Sequence, residues 1–306
     1  MIAVRTIAEL RSEVRRLRQE ADQQSGRAEV GFVPTMGYLH EGHASLMRQA
    51  KEQCAVTVLS IFVNPIQFGP NEDLAQYPRD EERDLKLAAS LGIDIVFLPS
   101  PEEMYPQPTK TTKTTIHVRE VTERLCGASR PGHFDGVTTV VAKLFHIVKP
   151  DRAYFGMKDA QQVAVIQQMV ADLNFDVTIV PCPIVREADG LALSSRNVYL
   201  SGEEREQALG LSRSLRMAEE WLGQEPGLTA EEVKSRIRQV IGEAPLADID
   251  YIDILTFPAL QALPSDEPVG HAGSDVLIAL AVRFGRTRLI DNRLFSRQGG
   301  RLCSVK

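Results

Sequence analysis

The stretch FVPTMGYLHEGHASL, Phe32 to Leu46, constrains this chain more than any other. A brief apolar run, Val30 to Val33, leads into a proline and a glycine, and two histidines three residues apart follow. Pro34 cannot donate to a central strand ladder, so a strand is expected to stop there, and Gly37 permits a turn that a residue with a Cβ would resist. Leu46, Met47 and Ala50 have helical spacing, which puts the HEGH tetrapeptide in the turn that opens a helix. Such a start presents unpaired N–H groups and the positive end of the helix dipole, a setting suited to phosphate. His40 and His43 would face nearly the same way there and could donate to phosphoryl oxygens. On these residues alone, zinc ligation and plain capping remain open. The spacing argues against zinc, because helical HExxH sites place their histidines four apart with a glutamate between them.

The rest of the chain reads as elements brought up to that turn. At 306 residues it is long enough for about two domains. A net charge of −6 gives no global reason to expect nucleic-acid binding, so phosphate handling must be local. Cys54, Cys126, Cys182 and Cys303 are scattered without a CxxC pair and read as reduced thiols. No apolar run resembles a signal peptide or approaches a membrane span, and the cytoplasm is the expected location.

Thr6 and Glu9 have capping-box spacing at the start of a surface helix. Ala55 to Val63 is a β-branched apolar run typical of a buried parallel strand, and it completes a βαβ unit. The Pro-rich loop after it, Asn64 to Arg79, offers Asn64 and Gln67 nearest the strand end, either as substrate contacts or as turn-satisfying amides. A helix over 80–91 and a strand over 94–98 continue the alternation, followed by an irregular excursion and a short strand at Thr115 to Val118. GASRPGHFDGV, Gly127 to Val137, reads as a flexible loop carrying Arg130 and His133, a lid or an exposed connector. After a helix over 137–148 and a strand over 152–155 comes GMKDAQQ, Gly156 to Gln162. Its Lys158 could bring a mobile positive charge to a polyphosphate, and Gln161 and Gln162 sit on the first turn of the next helix. Further strand is expected at Asp176 to Val180 and Ile184 to Val185. The following READGLALSSRN segment holds Ser194, Ser195 and Arg196, either a phosphate clamp or ordinary caps. Beyond it, helices over 203–222 and 229–241 and strands over 249–255, 276–282 and 288–291 make a smaller α+β part with a polar insertion, Ser265 to Ser274.

Four motifs thus stand in order: PTMGYLHEGH, FVNPIQF, FGMKDAQQ and GLALSSRN, with ASRPGHF between the second and third. Together they resemble the pantoate:beta-alanine ligase family of the nucleotidylyltransferase superfamily, over essentially the whole chain. Met157 occupies a variable position of its motif, and the insertion at 265–274 is longer than the family pattern. The resemblance implies a Rossmann-like parallel sheet flanked by helices, of the HxGH nucleotidylyltransferase type. Residues 1–188 would bind ATP and pantoate, and 189–306 would form a smaller C-terminal α+β domain covering the active site. It further implies ATP-dependent condensation of pantoate with beta-alanine through a pantoyl adenylate, releasing AMP and pyrophosphate. His40 and His43 would bind the triphosphate, with His43 as proton donor, and Lys158 and Arg196 would complete the catalytic set. Met36, Gly37, Gly156, Met157, Asp159, Val185, Leu193, Ser194 and Ser195 would join those four around ATP, and Gln67, Gln162 and Asn64 would hold pantoate. Mg²⁺ would be carried mainly by the ATP phosphates, no nucleic-acid or membrane partner is implied, and a homodimer is expected. The alternatives are a cytidylyltransferase-type enzyme that keeps the nucleotide on its product, and a non-catalytic nucleotide-binding module.

Overall fold

The computed structural model describes residues 1–306 apart from 27, 71, 73, 107–111, 299–300 and 305–306, and the side chains of 297–298 and 301–303, that of Cys303 included, also lie outside the description. The elements in chain order are β1 (Ile2–Val4), α1 (Ile7–Ser25), β2 (Val30–Thr35), α2 (Glu41–Gln53), β3 (Val56–Ile61), α3 (Glu81–Ser90), β4 (Ile95–Phe97), α4 (Pro101–Met104), α5 (Leu125–Ser129), α6 (His133–Val148), β5 (Arg152–Gly156), α7 (Ala160–Asp172), β6 (Thr178–Cys182), α8 (Gly202–Gln224), α9 (Ala230–Gly242), β7 (Ala247–Phe257), β8 (Asp275–Phe284), β9 (Thr287–Gln298) and β10 (Arg301–Ser304). They fall into two compact units. One comprises Met1–Arg119, Ser129–Met157 and Val165–Cys182, the other Glu120–Ala128, Lys158–Ala164 and Pro183–Lys306.

The first unit is built on a parallel sheet of order β1-β4-β3-β2-β5-β6. Its strands alternate between two buried faces. Val33, Leu59 and Val96 pack with Leu46, Met47 and Ala50 of α2, while Phe32 meets Phe145 of α6 edge-on on the opposite face. Each fully buried large apolar side chain of this kind contributes about 1.5–3 kcal/mol relative to exposure. From β2 the chain progresses through β3 to β4 in one direction, and from β5 to β6 in the other. The β2/β5 boundary is therefore the point where strand order reverses, and the carboxyl ends on either side of it frame the crevice in which open α/β sheets hold ligands.

β2 runs two residues further than expected, through Pro34 to Thr35, in register with Ser60 and Ile61. The reason lies in which edge each residue faces. The carbonyls of Glu29 and Thr35 accept from Val56 and Phe62 on the β3 side, whereas that of Val30 accepts from Asp151 on the β5 side. Pro34 shares the parity of Val30, so its missing N–H faces β5, and the β2–β5 pairing has already ended at Phe32. No ladder bond is lost.

Three further segments depart from expectation. Thr115–Val118 is not a strand; hydroxyls of α6 replace a strand partner, Thr139 accepting from the Ile116 N–H at 3.0 Å and Thr138 donating to the Ile116 carbonyl at 2.6 Å. Ile184–Val185 is also not a strand, β6 ending at Cys182. Within 127–137, α5 ends at Ser129 and α6 begins four residues early, at His133, its N-cap Gly132 adopting φ 79°. Only a short connection remains between them.

The second unit carries an antiparallel sheet of order β10-β9-β8-β7 packed with α8 and α9 through Leu211, Leu215, Val233, Ile237, Ile278 and Leu280. Both helices open with capping boxes, Ser201 with Glu204 and Thr229 with Glu232. The insertion at 265–274 is stitched into this unit: Val269 is fully buried and donates to the Leu228 carbonyl at 2.8 Å.

Candidate active site

In the first unit the expected turn is present and tightly specified. Gly37 and Tyr38 both take left-handed backbone, φ 82° and 49°, and a Cβ on Gly37 would come within 2.9 Å of an Ile61 methyl and 3.0 Å of the Asp84 carboxylate. Asp84, from α3, is almost fully buried and accepts from the N–H groups of Tyr38 and Leu39, each at 2.7 Å. Burial pushes its carboxyl upward, and the two backbone donors only partly offset that. Arg83 adds a bond to the Leu39 carbonyl and lies 5.0 Å above the Tyr38 ring. Nothing in the local spacing announces Asp84, which lies more than forty residues from the turn it holds.

His40 is the N-cap of α2. Its Nδ1 accepts from the Gly42 N–H at 3.1 Å, and Nδ1 of His43 accepts from the His40 N–H at 3.3 Å, with the two rings 4.1 Å apart. Both rings thus cap the helix start through Nδ1. A neutral imidazole that accepts at Nδ1 carries its proton on Nε2, so the cap fixes each ring in the tautomer that donates from its other nitrogen. Among the described residues no group of three or more His, Cys, Asp or Glu side chains is placed to hold a metal.

Asn64 and Gln67 are both buried and hydrogen-bonded to each other at 3.0 Å, Asn64 Nδ2 donating to Gln67 Oε1. Gln67 Nε2 in turn approaches the Met36 sulfur at 3.2 Å, which joins this pair to the opening turn. Gly136 of α6 lets the helix touch the loop backbone: a Cβ there would lie 2.5 Å from the Ile66 carbonyl and 2.6 Å from Gln67 Cα. Arg130 and His133 are not free lid groups. Arg130 pairs bidentately with Glu72 at 2.6 and 2.7 Å and contacts His133, whose Nδ1 lies 2.8 Å from the Gln67 carbonyl. Across the crevice, β5 ends at Gly156, where the space a Cβ would occupy has no protein atom within 4 Å. Met157 follows it and is buried.

In the second unit β9 organises the remaining residues. Asn292 Nδ2 donates to the Lys158 carbonyl at 2.9 Å, and the neighbouring, buried Asp291 receives both terminal nitrogens of Arg186 at 2.7 and 2.9 Å. Arg186 opens the loop that carries the serines. The Leu193 N–H bonds the Val185 carbonyl at 3.0 Å, Asn197 Nδ2 bonds Glu187 at 2.8 Å, and Ser194 Oγ accepts from the Arg196 N–H at 3.2 Å. The capping reading of Ser194 thus holds for its backbone contact. Lys158 is partly exposed, its nearest carboxylate being Asp159 at 3.8 Å. Gln162 is half-buried, whereas Gln161 is buried and donates to the Val121 and Arg124 carbonyls at 2.9 and 2.7 Å. Of the adjacent glutamines, Gln161 is the structural one.

A parallel sheet whose order reverses beside an HxGH helix start defines a Rossmann-like enzyme of the HxGH nucleotidylyltransferase type. The pantoate–beta-alanine ligase family model matches residues 2–294. Pantothenate synthetase from Caldicellulosiruptor saccharolyticus is 53% identical over 292 residues, covering 95% of this chain and 98% of that one, and the Acetivibrio thermocellus protein of the same name is 54% identical over 293 residues with the same coverage. Among solved structures, Thermus thermophilus pantothenate synthetase superposes with a TM-score of 0.83 at 46% identity, covering 95% of this chain and 98% of that one. The Francisella tularensis pantoate-beta-alanine ligase, complexed with beta-gamma ATP and beta-alanine, gives 0.72 at 37% identity, with 95% and 97% covered. The chain belongs to the pantoate–beta-alanine ligase family.

Proposed function

We infer that this chain is an ATP-dependent, AMP-forming ligase that joins pantoate to beta-alanine. The observation that carries the reading is the family's motif set in order along a chain matched almost end to end, with PTMG and FGM at the strand ends on either side of the switch-point crevice. In the first step the pantoate carboxylate attacks the α-phosphorus of ATP, forming pantoyl adenylate and releasing pyrophosphate. In the second, the beta-alanine amine attacks the acyl carbonyl, the C–N bond forms, the amine loses a proton and AMP leaves.

Negative charge gathers on phosphoryl oxygens during the first step, so positioned donors matter more than a strong base. His40 and His43 donate from Nε2 beside the N–H groups of the α2 start, and Lys158, Ser194, Ser195 and Arg196 follow the triphosphate. Met36, Gly37, Gly156, Met157, Asp159, Val185 and Leu193 line the nucleotide. Gln67 and Gln162, helped by Asn64, hold pantoate, since uncharged amides orient a carboxylate without neutralising its attack. Mg²⁺ would arrive on the triphosphate and offset its charge. The same reading assigns ATP and pantoate binding to residues 1–188, a separate C-terminal domain to 189–306, and a cytoplasmic homodimer to the protein; sedimentation tests the last. No helix among the described residues is long and apolar enough to cross a membrane.

The deciding experiment incubates ATP and pantoate with and without beta-alanine. Multiple-turnover AMP release that requires beta-alanine, with pantoate-dependent pyrophosphate exchange in its absence, is the expected result. A stable nucleotide-linked product would sink the ligase reading.

A further inference from the structure

Tyr105 follows α4 in the Pro-rich excursion, and no motif includes it. It is 1% exposed, its ring lies 6.1 Å from that of Phe62 and 5.2 Å below the Lys143 ammonium, and its hydroxyl lies 2.7 Å from Asn64 Oδ1. The polarity of the contacts beyond it can be deduced. The Gly136 carbonyl, 3.2 Å from the Asn64 side chain, can only accept, so the Asn64 atom facing it is Nδ2. Asn64 Oδ1 must then face Tyr105, and the tyrosine must donate. The same Nδ2 reaches Gln67 at 3.0 Å, so the Gln67 atom it meets is Oε1. Gln67 Nε2 is left pointing away from the pair, toward Met36.

We propose that Tyr105 is a positioning residue for the acid substrate: its hydroxyl, through Asn64, fixes the amide of Gln67 with the N–H₂ end presented to the substrate carboxylate or hydroxyl. This rests on the reading of Gln67 as a pantoate holder. A buried tyrosine suits the task because desolvation holds its phenol protonated far above the normal range, so the relay keeps one polarity at every working pH. Without the hydroxyl, Asn64 Oδ1 is buried without a donor, and rotation of the amide would bring its oxygen against the Gly136 carbonyl. Either outcome loosens Gln67.

Tyr105→Phe deletes one oxygen and leaves the ring. With ATP and beta-alanine saturating, KM for pantoate should rise about tenfold, while KM for ATP and kcat change far less. Asn64→Asp, which removes the donor toward both Gly136 and Gln67, should raise the same KM, and the double variant should fall well short of the product of the two effects. A folded Tyr105→Phe protein with wild-type KM for pantoate would overturn the proposal, as would equal rises in both KM values accompanied by a lower melting temperature. Amide spectra of protein labelled with ¹⁵N in Asn and Gln side chains separate this inference from the functional reading. The Gln67 side-chain signal should move in Tyr105→Phe whatever the substrate is, and an unmoved signal refutes the relay. Wild-type protein that makes no AMP from pantoate, ATP and beta-alanine refutes the reading instead.

Discussion

Under the proposed function, His40 and His43 serve structure through Nδ1 and chemistry through Nε2. Nδ1 caps the helix start in both, so His43→Ala removes a backbone partner as well as the proposed phosphate donor. The cap is worth about 1 kcal/mol, which the fold tolerates, whereas loss of a preorganised donor should lower turnover roughly 100-fold or more. Circular dichroism that stays native alongside that loss is the expected pair of results; wild-type turnover would remove His43 from the site. Gly156 makes the complementary case. Its side chain's place is open to within 4 Å, and no positive φ demands glycine there. Gly156→Ala should therefore leave the denaturation midpoint unchanged or slightly higher and raise KM for ATP, and an unchanged KM would show that nothing approaches the strand end. The turns that carry HxGH, the SSRN serines and Lys158 were legible locally, because their own neighbours define them. Asp84 and Tyr105 were not, since each acts on a segment about forty residues away and neither carries a spacing signal.

The connection around Arg130 and His133 reads in sequence as a flexible loop, either a lid or an exposed connector, and folds instead as a clasp. Glycine content suggested mobility, but sequence does not reveal that Glu72 lies opposite. Burial alone would raise the Glu72 carboxyl; its hydrogen bond and charge contact with Arg130 outweigh that and hold it below the usual glutamate range. The folded state thus releases this proton more readily than the unfolded chain. The stabilisation is fully present above the ordinary glutamate value and is lost as pH falls through the lowered one. Both side chains are about one-fifth to one-quarter exposed, so the pair is worth about 1 kcal/mol. The stability gap between wild type and Glu72→Gln should be widest near neutrality and close in acid, as followed by urea titration; a gap independent of pH would mean the clasp is not electrostatic. The helix start at Thr6 was readable from its capping box, and those at Ser201 and Thr229 carry the same device. The three-residue β1 was missed because its only support is the parallel pairing with β4, ninety residues on.

For the whole molecule, the parallel order of the first sheet followed from alternation of strand and helix, while the discontinuous make-up of the second unit did not, because residues 120–128 and 158–164 join it through contacts with distant strands. The cysteines report on how closed these interiors are. Burial raises the Cys54 thiol and pushes that of Cys182 up to about 12, whereas Cys126 is partly exposed beside Tyr251 and Arg288. Under native conditions at pH 8, iodoacetamide followed by peptide mass spectrometry should find Cys54 and Cys182 unmodified, and fast labelling of either would mean its unit opens readily. Pro34 bears on the same question of closure. Parallel strands that diverge inside a sheet leave two facing rows of unmet peptide groups, and such rows tend to zip together. Pro34 lacks the one hydrogen that would begin the next rung toward β5, so the donor that could close the seam is absent. The parting of β2 from β5 beyond Phe32 is thereby written into the covalent chemistry of one imino acid.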